Sequence, residues 1–167
     1  EEAQMAYKYA GSSYSEQIYT AEELRAMGLS AGPITKAEFY CTSTSAYDKT
    51  QSLYIGATTL SEFTENSPSG FVGGLTQMMA PEYRTCAEGW QSFDFTTPFV
   101  WDGESNIVVG FLSNGQSSHY GWNYQGTSTQ QFRSMYGYSS YNDIDASDLV
   151  NTIGTYSTGQ MYVRPNI

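Results

Sequence analysis

The chain has 167 residues, and 17 acidic against 7 basic side chains give it a formal net charge of −10. This balance, without a Lys/Arg cluster, argues against a nucleic-acid partner and against anionic membrane surfaces, because both are bound mainly through basic side chains. The longest apolar stretch, 107–112, is far shorter than the roughly 20 residues that span a bilayer, which argues against membrane insertion.

Short segments of alternating polar and apolar residues follow one another along the chain, separated by Gly, Pro, Asn and Ser. The predicted strands are 4–10, 16–20, 33–41, 51–57, 70–79, 90–96, 107–112, 118–125, 131–136 and 160–164. One helix is predicted over 20–28, because Thr20 suits the N-cap, Glu23 occupies the capping-box position and Gly28 suits the end. The pattern predicts an all-β fold, an antiparallel and jelly-roll-like β-sandwich with one short helix near the N-terminus.

The length fits a single domain, 1–167. The chain begins Glu1-Glu2 without an initiator Met or a signal segment, so we expect it to be excised from a larger secreted protein. Few charges and 15 tyrosines favour a secreted or cell-surface setting.

A series of motifs runs through the first two thirds of the chain. They are YSEQIYTAEEL at 14–24, ITKAEFY at 34–40, SLYIG at 52–56, GW at 89–90, TPFVWDG at 97–103 and NIVV at 106–109. In this order the motifs resemble β-sandwich domains of secreted multidomain proteins from Bacteroidetes-type bacteria, which are adhesin-like or carbohydrate-binding accessory modules. The resemblance implies a fold and a cellular setting but no particular ligand, and it fades after Asn114.

The segment 118–125 carries the strongest functional pattern. Strand alternation places Tyr120, Trp122 and Tyr124 on one face and polar residues, Asn123 among them, on the other. Rings spaced about 6.5 to 7 Å apart form a flat ladder on which a pyranose can stack. The alternative is an amphipathic strand with its aromatic residues in the core, whose polar face then points outward and lines a binding sheet.

Two further tyrosines, Tyr138 and Tyr141, lie among Gly and Ser, which supply little core around them. Tyrosine in such a setting gives contact area at low entropic cost, so both are added to the predicted carbohydrate site. Trp90 and Trp101 are instead expected to pack in the core or in turns.

The acidic segment 142–148 is a candidate calcium site, with Asp143 and Asp145 as ligands, because a hard cation prefers clustered oxygen atoms. It does not match an EF-hand loop. The alternative is a turn followed by a short helix capped by Asp145 or Ser147.

Two cysteines, Cys41 and Cys86, leave two states open: a disulfide or two buried thiols. A disulfide would close a loop of about 46 residues and stabilise the fold by roughly 4 kcal/mol in the chain-entropy model.

Together these features predict a non-catalytic, monomeric module that binds a polysaccharide and requires no cofactor. One alternative is an adhesin or self-assembling surface subunit, because 4–9 and 160–164 offer edge strands to another chain. A less favoured alternative is a glycoside hydrolase, which needs a pair of carboxylates. The candidates for that pair are Glu38, Glu88, Asp94 and Glu104.

Overall fold

The computed structural model describes residues 1–5, 11–44, 49–115, 122–154 and 157–167. The strands are β1 Glu2–Gln4, β2 Ser12–Tyr19, β3 Gly32–Cys41, β4 Lys49–Thr58, β5 Thr76–Arg84, β6 Gly89–Trp101, β7 Asn106–Ser113, β8 Asn123–Ser128, β9 Ser134–Ser139, β10 Thr158–Met161 and β11 Val163–Pro165. The helices are α1 Ala21–Ala26 and α2 Leu149–Thr152, and a 3₁₀ turn covers Pro68–Gly70. None of the helices in these ranges has the length and apolar composition to cross a bilayer.

The strands form two antiparallel sheets. The first sheet has the order β1-β8-β3-β6, with β11 also paired to β8, and the second has the order β10-β9-β2-β7-β4-β5. The predicted all-β, antiparallel sandwich architecture is therefore confirmed.

The inner core lies between the two sheets. Phe39 and Phe93 of the first sheet face Phe111 of the second, and the Phe93 and Phe111 rings meet edge-to-face with centroids 5.7 Å apart. These residues alternate with outward-facing ones along their strands, as a pleated sheet requires.

A second core covers the outer face of the second sheet. Tyr14 and Ile18 of β2 pack there against Phe63 and Phe71, which lie between β4 and β5, and against Ile153 at the end of α2. Because both faces of the second sheet are covered, all eight residues of β2 are buried.

The helix α1 follows β2 directly and has a capping box. The Thr20 hydroxyl accepts from the backbone N–H of Glu23, and the Glu23 carboxylate accepts from that of Thr20. Gly28 has φ 94°, a left-handed conformation that glycine adopts without strain, and it follows the last turn. Ala21 and Leu24 face the inner core.

Several strands start or end at other positions than the sequence pattern predicts. The strand expected at 70–79 starts later, as β5 at Thr76–Arg84. Gly73 and Gly74 adopt φ values of 64° and 60° and turn the chain before the strand begins. The segment expected as one strand at 160–164 is divided between β10 and β11, which pair with β9 and β8. Much of the predicted strands 4–10 and 118–125 lies outside the described residues.

Candidate functional site

Trp122 and Tyr124 lie in the inner core, with 2% and 1% of their surface exposed. Tyr124 meets Phe39 edge-to-face at 6.1 Å between ring centroids. Neither ring is accessible to a ligand. This matches the alternative interpretation of the sequence, in which the aromatic residues of this strand belong to the core. Tyr120, the third member of the predicted ladder, lies outside the described residues.

Asn123 lies on the opposite, outer face of β8. Its side-chain amide donates to Glu2 at 3.0 Å, and its side-chain oxygen accepts from Gln4 at 3.3 Å. These bonds hold β1 against β8 at the edge of the first sheet.

Tyr138 and Tyr141 belong to the other side of the molecule. Tyr138 is half-buried on β9 of the second sheet, whereas Tyr141 follows that strand with 96% of its surface exposed. The structure does not bring these tyrosines together with Asn123, which lies in the first sheet.

The exposed tryptophan is Trp90, which is 64% exposed, so the expectation that it packs in the core or in a turn is wrong. Phe93 of the same strand points into the core, and alternation therefore sends Trp90 to the outer face of the first sheet. Its partner in the register is Tyr40 of β3. The two rings meet edge-to-face at 90°, with centroids 5.5 Å apart.

Trp101, by contrast, is buried as the sequence predicts. Its indole N–H donates to the carbonyl oxygen of Ser105 at 2.9 Å, which satisfies the polar end of the ring in the turn before β7.

Beside Trp90, the adjoining ends of β5 and β6 form an open groove of about 450 Å³, called the Trp90 groove below. It is lined by Glu82, Tyr83, Arg84, Thr85, Trp90, Gln91, Ser92 and Asp94. Tyr83 is 68% exposed and adds a second accessible ring. Two exposed aromatic residues thus stand among amide, hydroxyl and carboxylate groups.

Arg84 lines this groove and connects its two strands. Its guanidinium lies 4.2 Å from the centre of the Phe93 ring and donates to the Ser92 carbonyl oxygen at 2.8 Å. It also pairs with Glu82 at 3.4 Å. The contacts to Phe93 and Ser92 link the end of β5 to β6.

Glu38 and Asp94, two of the carboxylates considered for hydrolysis, lie on the outer face of the first sheet. Glu38 pairs with Lys36 at 3.0 Å, and Asp94 accepts from the Ser92 hydroxyl at 3.2 Å. Their strands are neighbours, with Lys36 opposite Asp94 in the register. The other two, Glu88 and Glu104, are exposed in turns.

A second cavity, of about 380 Å³, opens beside α1. Its lining includes Leu24, Met27, Ile34 and Phe95, with Lys36, Glu38 and Trp90 also on its wall. This lining is largely aliphatic and aromatic and offers fewer hydrogen-bonding groups than the Trp90 groove. It is therefore less suited to a ligand covered with hydroxyls.

The Cys41 and Cys86 side chains are both thiols and converge on one backbone oxygen. Each Sγ points to the carbonyl oxygen of Ser43, at 3.9 Å from Cys41 and 3.8 Å from Cys86. Burial, with a smaller contribution from the neighbouring Cys86, raises the pKa of Cys41 to about 11.

The acidic segment forms hydrogen-bonded turns. The Asp145 carboxylate accepts from the backbone N–H and the hydroxyl of Ser147, at 2.8 and 2.7 Å, and these bonds lower its pKa. Asp143 accepts from Ser12 at 3.4 Å. The N-cap of α2 is Asp148 rather than Asp145 or Ser147. Within the described ranges, no group of three or more His, Cys, Asp or Glu side chains is arranged to hold a metal ion.

No protein-family model and no curated protein matches this sequence. The geometry of the chain therefore carries the functional proposal by itself.

Proposed function

We propose that this domain is a non-catalytic carbohydrate-binding module and that it binds a polysaccharide in the Trp90 groove. The observation that carries the proposal is the exposed indole of Trp90, held edge-to-face by Tyr40 in a groove with polar walls. The proposed site therefore lies on the outer face of the first sheet, whereas Trp122 and Tyr124 lie on its inner face.

The chemistry of the groove suits a sugar ring. One face of a pyranose is a patch of C–H groups, and an exposed indole gives it a flat apolar partner. Tyr40 restrains the Trp90 ring before the ligand arrives, which lowers the entropic cost of binding. Tyr83, which also lines the groove, can stack on a second residue of the same polysaccharide.

The polar groups of the groove suit hydroxyls. Thr85, Gln91 and Ser92 line the groove with hydroxyl and amide groups, and Glu82 and Asp94 add carboxylates. Gln91 donates to the Ala87 carbonyl oxygen at 3.0 Å and Ser92 to Asp94 at 3.2 Å, so sugar hydroxyls would bind through the remaining acceptor sites or replace these bonds. Arg84 is engaged with Phe93 and Ser92, so it orients the wall rather than binding an anion. We therefore expect a neutral polysaccharide.

The proposal includes the architecture and setting expected from the sequence. The antiparallel pairs β1 with β8, β2 with β7, β3 with β6 and β4 with β5 support a jelly roll, in which a long hairpin is rolled into two sheets. We propose one such domain, with α1 over one open end, as a monomeric module of a larger secreted or cell-surface protein.

Affinity electrophoresis in gels that contain neutral polysaccharides tests the function. Wild-type protein is expected to be retarded by at least one polysaccharide. Trp90→Ala is expected to migrate freely while it still unfolds cooperatively, with its midpoint lowered only as far as loss of the Tyr40–Trp90 ring pair requires. Tyr141→Ala is the matched control, since it removes an equally accessible ring elsewhere. Retardation of folded Trp90→Ala at the wild-type level would reject this groove as the site.

The alternative of an adhesin or self-assembling subunit is supported by β10, which lies at the edge of the second sheet. Edge strands pair readily with strands of another chain. Light scattering over a wide concentration range separates the two proposals. The apparent molar mass of a self-assembling subunit increases with concentration, and that of a monomeric module does not.

A glycoside hydrolase is the remaining alternative. Glu38 and Asp94 lie on adjacent strands next to Trp90, but Glu38 is ion-paired and its side chain is 40% exposed. An acid catalyst is usually held protonated by an apolar setting. Release of reducing ends from the bound polysaccharide, lost in Glu38→Gln, would favour hydrolysis over simple binding.

A structural calcium ion at Asp143 and Asp145 stays a prediction. Both carboxylates are exposed and the chain is strongly acidic, which favours cation binding. A thermal unfolding midpoint that falls on treatment with EDTA and recovers with added calcium would support this site.

A further inference from the structure

We propose that Cys41 and Cys86 form a disulfide bond when the protein meets an oxidant, and that this bond fixes the turn on which the Trp90 groove is built. The first half of this proposal stands on the structure of the turn alone. The second half rests on the proposed carbohydrate-binding function.

The two thiols are neighbours in space. Both Sγ atoms lie within hydrogen-bonding distance of a single atom, the Ser43 carbonyl oxygen, at 3.9 and 3.8 Å. In agreement with this contact, burial and, to a smaller extent, the neighbouring Cys86 raise the pKa of Cys41. Because both sulfur atoms contact one acceptor, we expect rotation of the two side chains to bring them within bonding distance.

The bond would lie at a particular point of the fold. Cys41 is the last residue of β3 and stands opposite Gly89, the first residue of β6. Cys86 lies in the connection between β5 and β6, three residues before Gly89. A bond between the two cysteines therefore joins the end of β3 to the turn that leads into β6.

This turn joins both walls of the groove. Tyr83 and Arg84 precede Cys86 at the end of β5, and Trp90 follows Gly89 in β6. Tyr40, the partner of Trp90, is adjacent to Cys41. The disulfide would thus hold the rings in place from both sides before a ligand binds, and preorganisation of this kind increases affinity.

The chemistry is ordinary thiol–disulfide exchange with a low-molecular-weight disulfide such as oxidised glutathione. The Cys86 thiolate, which is only half-buried, attacks one glutathione sulfur and releases the first glutathione. The Cys41 thiolate then attacks the Cys86 sulfur and releases the second. Both cysteine thiols are oxidised, one glutathione disulfide is reduced to two glutathione thiols, and the two cysteine protons end on them.

Intact-mass measurement tests the bond. The reduced, folded protein is incubated with oxidised glutathione, then unfolded in the presence of an alkylating reagent. We expect a product that is two hydrogen atoms lighter than the reduced protein and carries no alkyl group. Cys86→Ser, the matched control, is expected to form no such product. Glutathione adducts that persist on either cysteine, or two alkylated thiols after long exposure, would overturn the proposal.

The consequence for the groove is measured separately. We expect the oxidised form to unfold at a higher temperature, to exchange the amide hydrogens of 85–90 more slowly, and to be retarded more strongly by the polysaccharide than the reduced form. Equal exchange and equal retardation in both forms would overturn the coupling. If the bond forms and slows exchange but neither form binds carbohydrate, the proposed function fails while the disulfide stands.

Discussion

Arg164 donates hydrogen bonds from both terminal guanidinium nitrogens to the Glu23 carboxylate, at 3.0 and 3.1 Å, and so links β11 to α1 across most of the chain. Arg133 donates to the same carboxylate at 2.9 Å. Glu23 also accepts from the backbone N–H of Thr20 at 2.8 Å, where the helix begins. One carboxylate therefore unites the helix cap, the C-terminal strand and the segment before β9.

The link between Glu23 and Arg164 predicts loss of stability in acid. Burial opposes ionisation of Glu23, but the hydrogen bonds from Arg164 and Thr20 outweigh it and hold the pKa at about 2. Since the folded pKa lies below the unfolded value near 4.5, this stabilisation is present above pH 4.5 and is lost as the pH falls towards 2. We expect a loss of about 1–2 kcal/mol, because the carboxylate is partly exposed and screened.

Thermal unfolding between pH 5 and pH 2 measures this effect. Glu23→Gln is expected to be less stable than wild type at neutral pH and to depend less on pH in this window. Glu22→Gln, on the same helix turn, is the control. Parallel curves for wild type and Glu23→Gln would show that this carboxylate does not carry the acid sensitivity.

A second buried carboxylate, Glu16, holds the layer that covers the second sheet. It accepts hydrogen bonds from the Tyr14 hydroxyl at 2.8 Å and from the backbone N–H groups of Val72 and Gly73 at 2.7 and 2.9 Å. Replacement by Ala leaves three donors without this acceptor, so we expect Glu16→Ala to lose about 2–4 kcal/mol of stability. Glu16→Gln keeps one acceptor oxygen and should lose less, and urea unfolding compares the two variants.

The pH dependence of Glu16 has the opposite sign. Burial raises its pKa, while the hydrogen bonds from Gly73, Tyr14 and Val72 counter part of the rise. A raised folded pKa means that the protein favours the protonated carboxyl, so ionisation costs stability as the pH rises above 4.5. We expect Glu16→Gln to remove this downward slope. A steeper slope in the variant would contradict this assignment.

The fold could largely be predicted from the sequence, because strand alternation and helix capping depend on residues close together in the chain. The capping box at Thr20 and Glu23 needs only residues three apart, and the chain forms it as the sequence predicts. The segment before β5 is held instead by Glu16, which accepts from the backbone N–H groups of Val72 and Gly73, a contact between distant segments. Such contacts leave no periodic pattern in the sequence.

The candidate site was harder to predict, although one signal was present. In the segment WQSFDF at 90–95, Trp90 alternates out of phase with Phe93 and Phe95, so it must face away from the core if they face into it. The same rule placed Trp122 and Tyr124 on one face correctly but did not decide which face is buried. Burial depends on which sheet packs against the strand, and Tyr83 reaches the groove only because β5 and β6 adjoin.

Gly126 provides a test of the packing around β8. A Cβ built there would lie 2.5 Å from the Ala3 Cβ and 2.9 Å from the Arg164 carbonyl oxygen. Neither atom belongs to a flexible side-chain end, so the strands must separate, and we expect Gly126→Ala to lose about 1–3 kcal/mol. Gln125→Ala, at the exposed neighbouring position, should change the urea unfolding midpoint little. Equal midpoints for the two variants would argue against the tight arrangement of β1, β8 and β11.

The last prediction concerns Tyr40, which supports Trp90 from β3. An edge-to-face aromatic pair contributes about 0.5–1.5 kcal/mol. If the pair orders the Trp90 ring for stacking, Tyr40→Ala should weaken polysaccharide binding by about 2- to 12-fold through loss of that energy. Tyr40→Phe keeps the ring and should bind like wild type, and isothermal titration calorimetry measures both affinities. Wild-type affinity in Tyr40→Ala would show that Trp90 is positioned without its neighbour, whereas weakening by Tyr40→Phe would assign the effect to the hydroxyl instead of the ring.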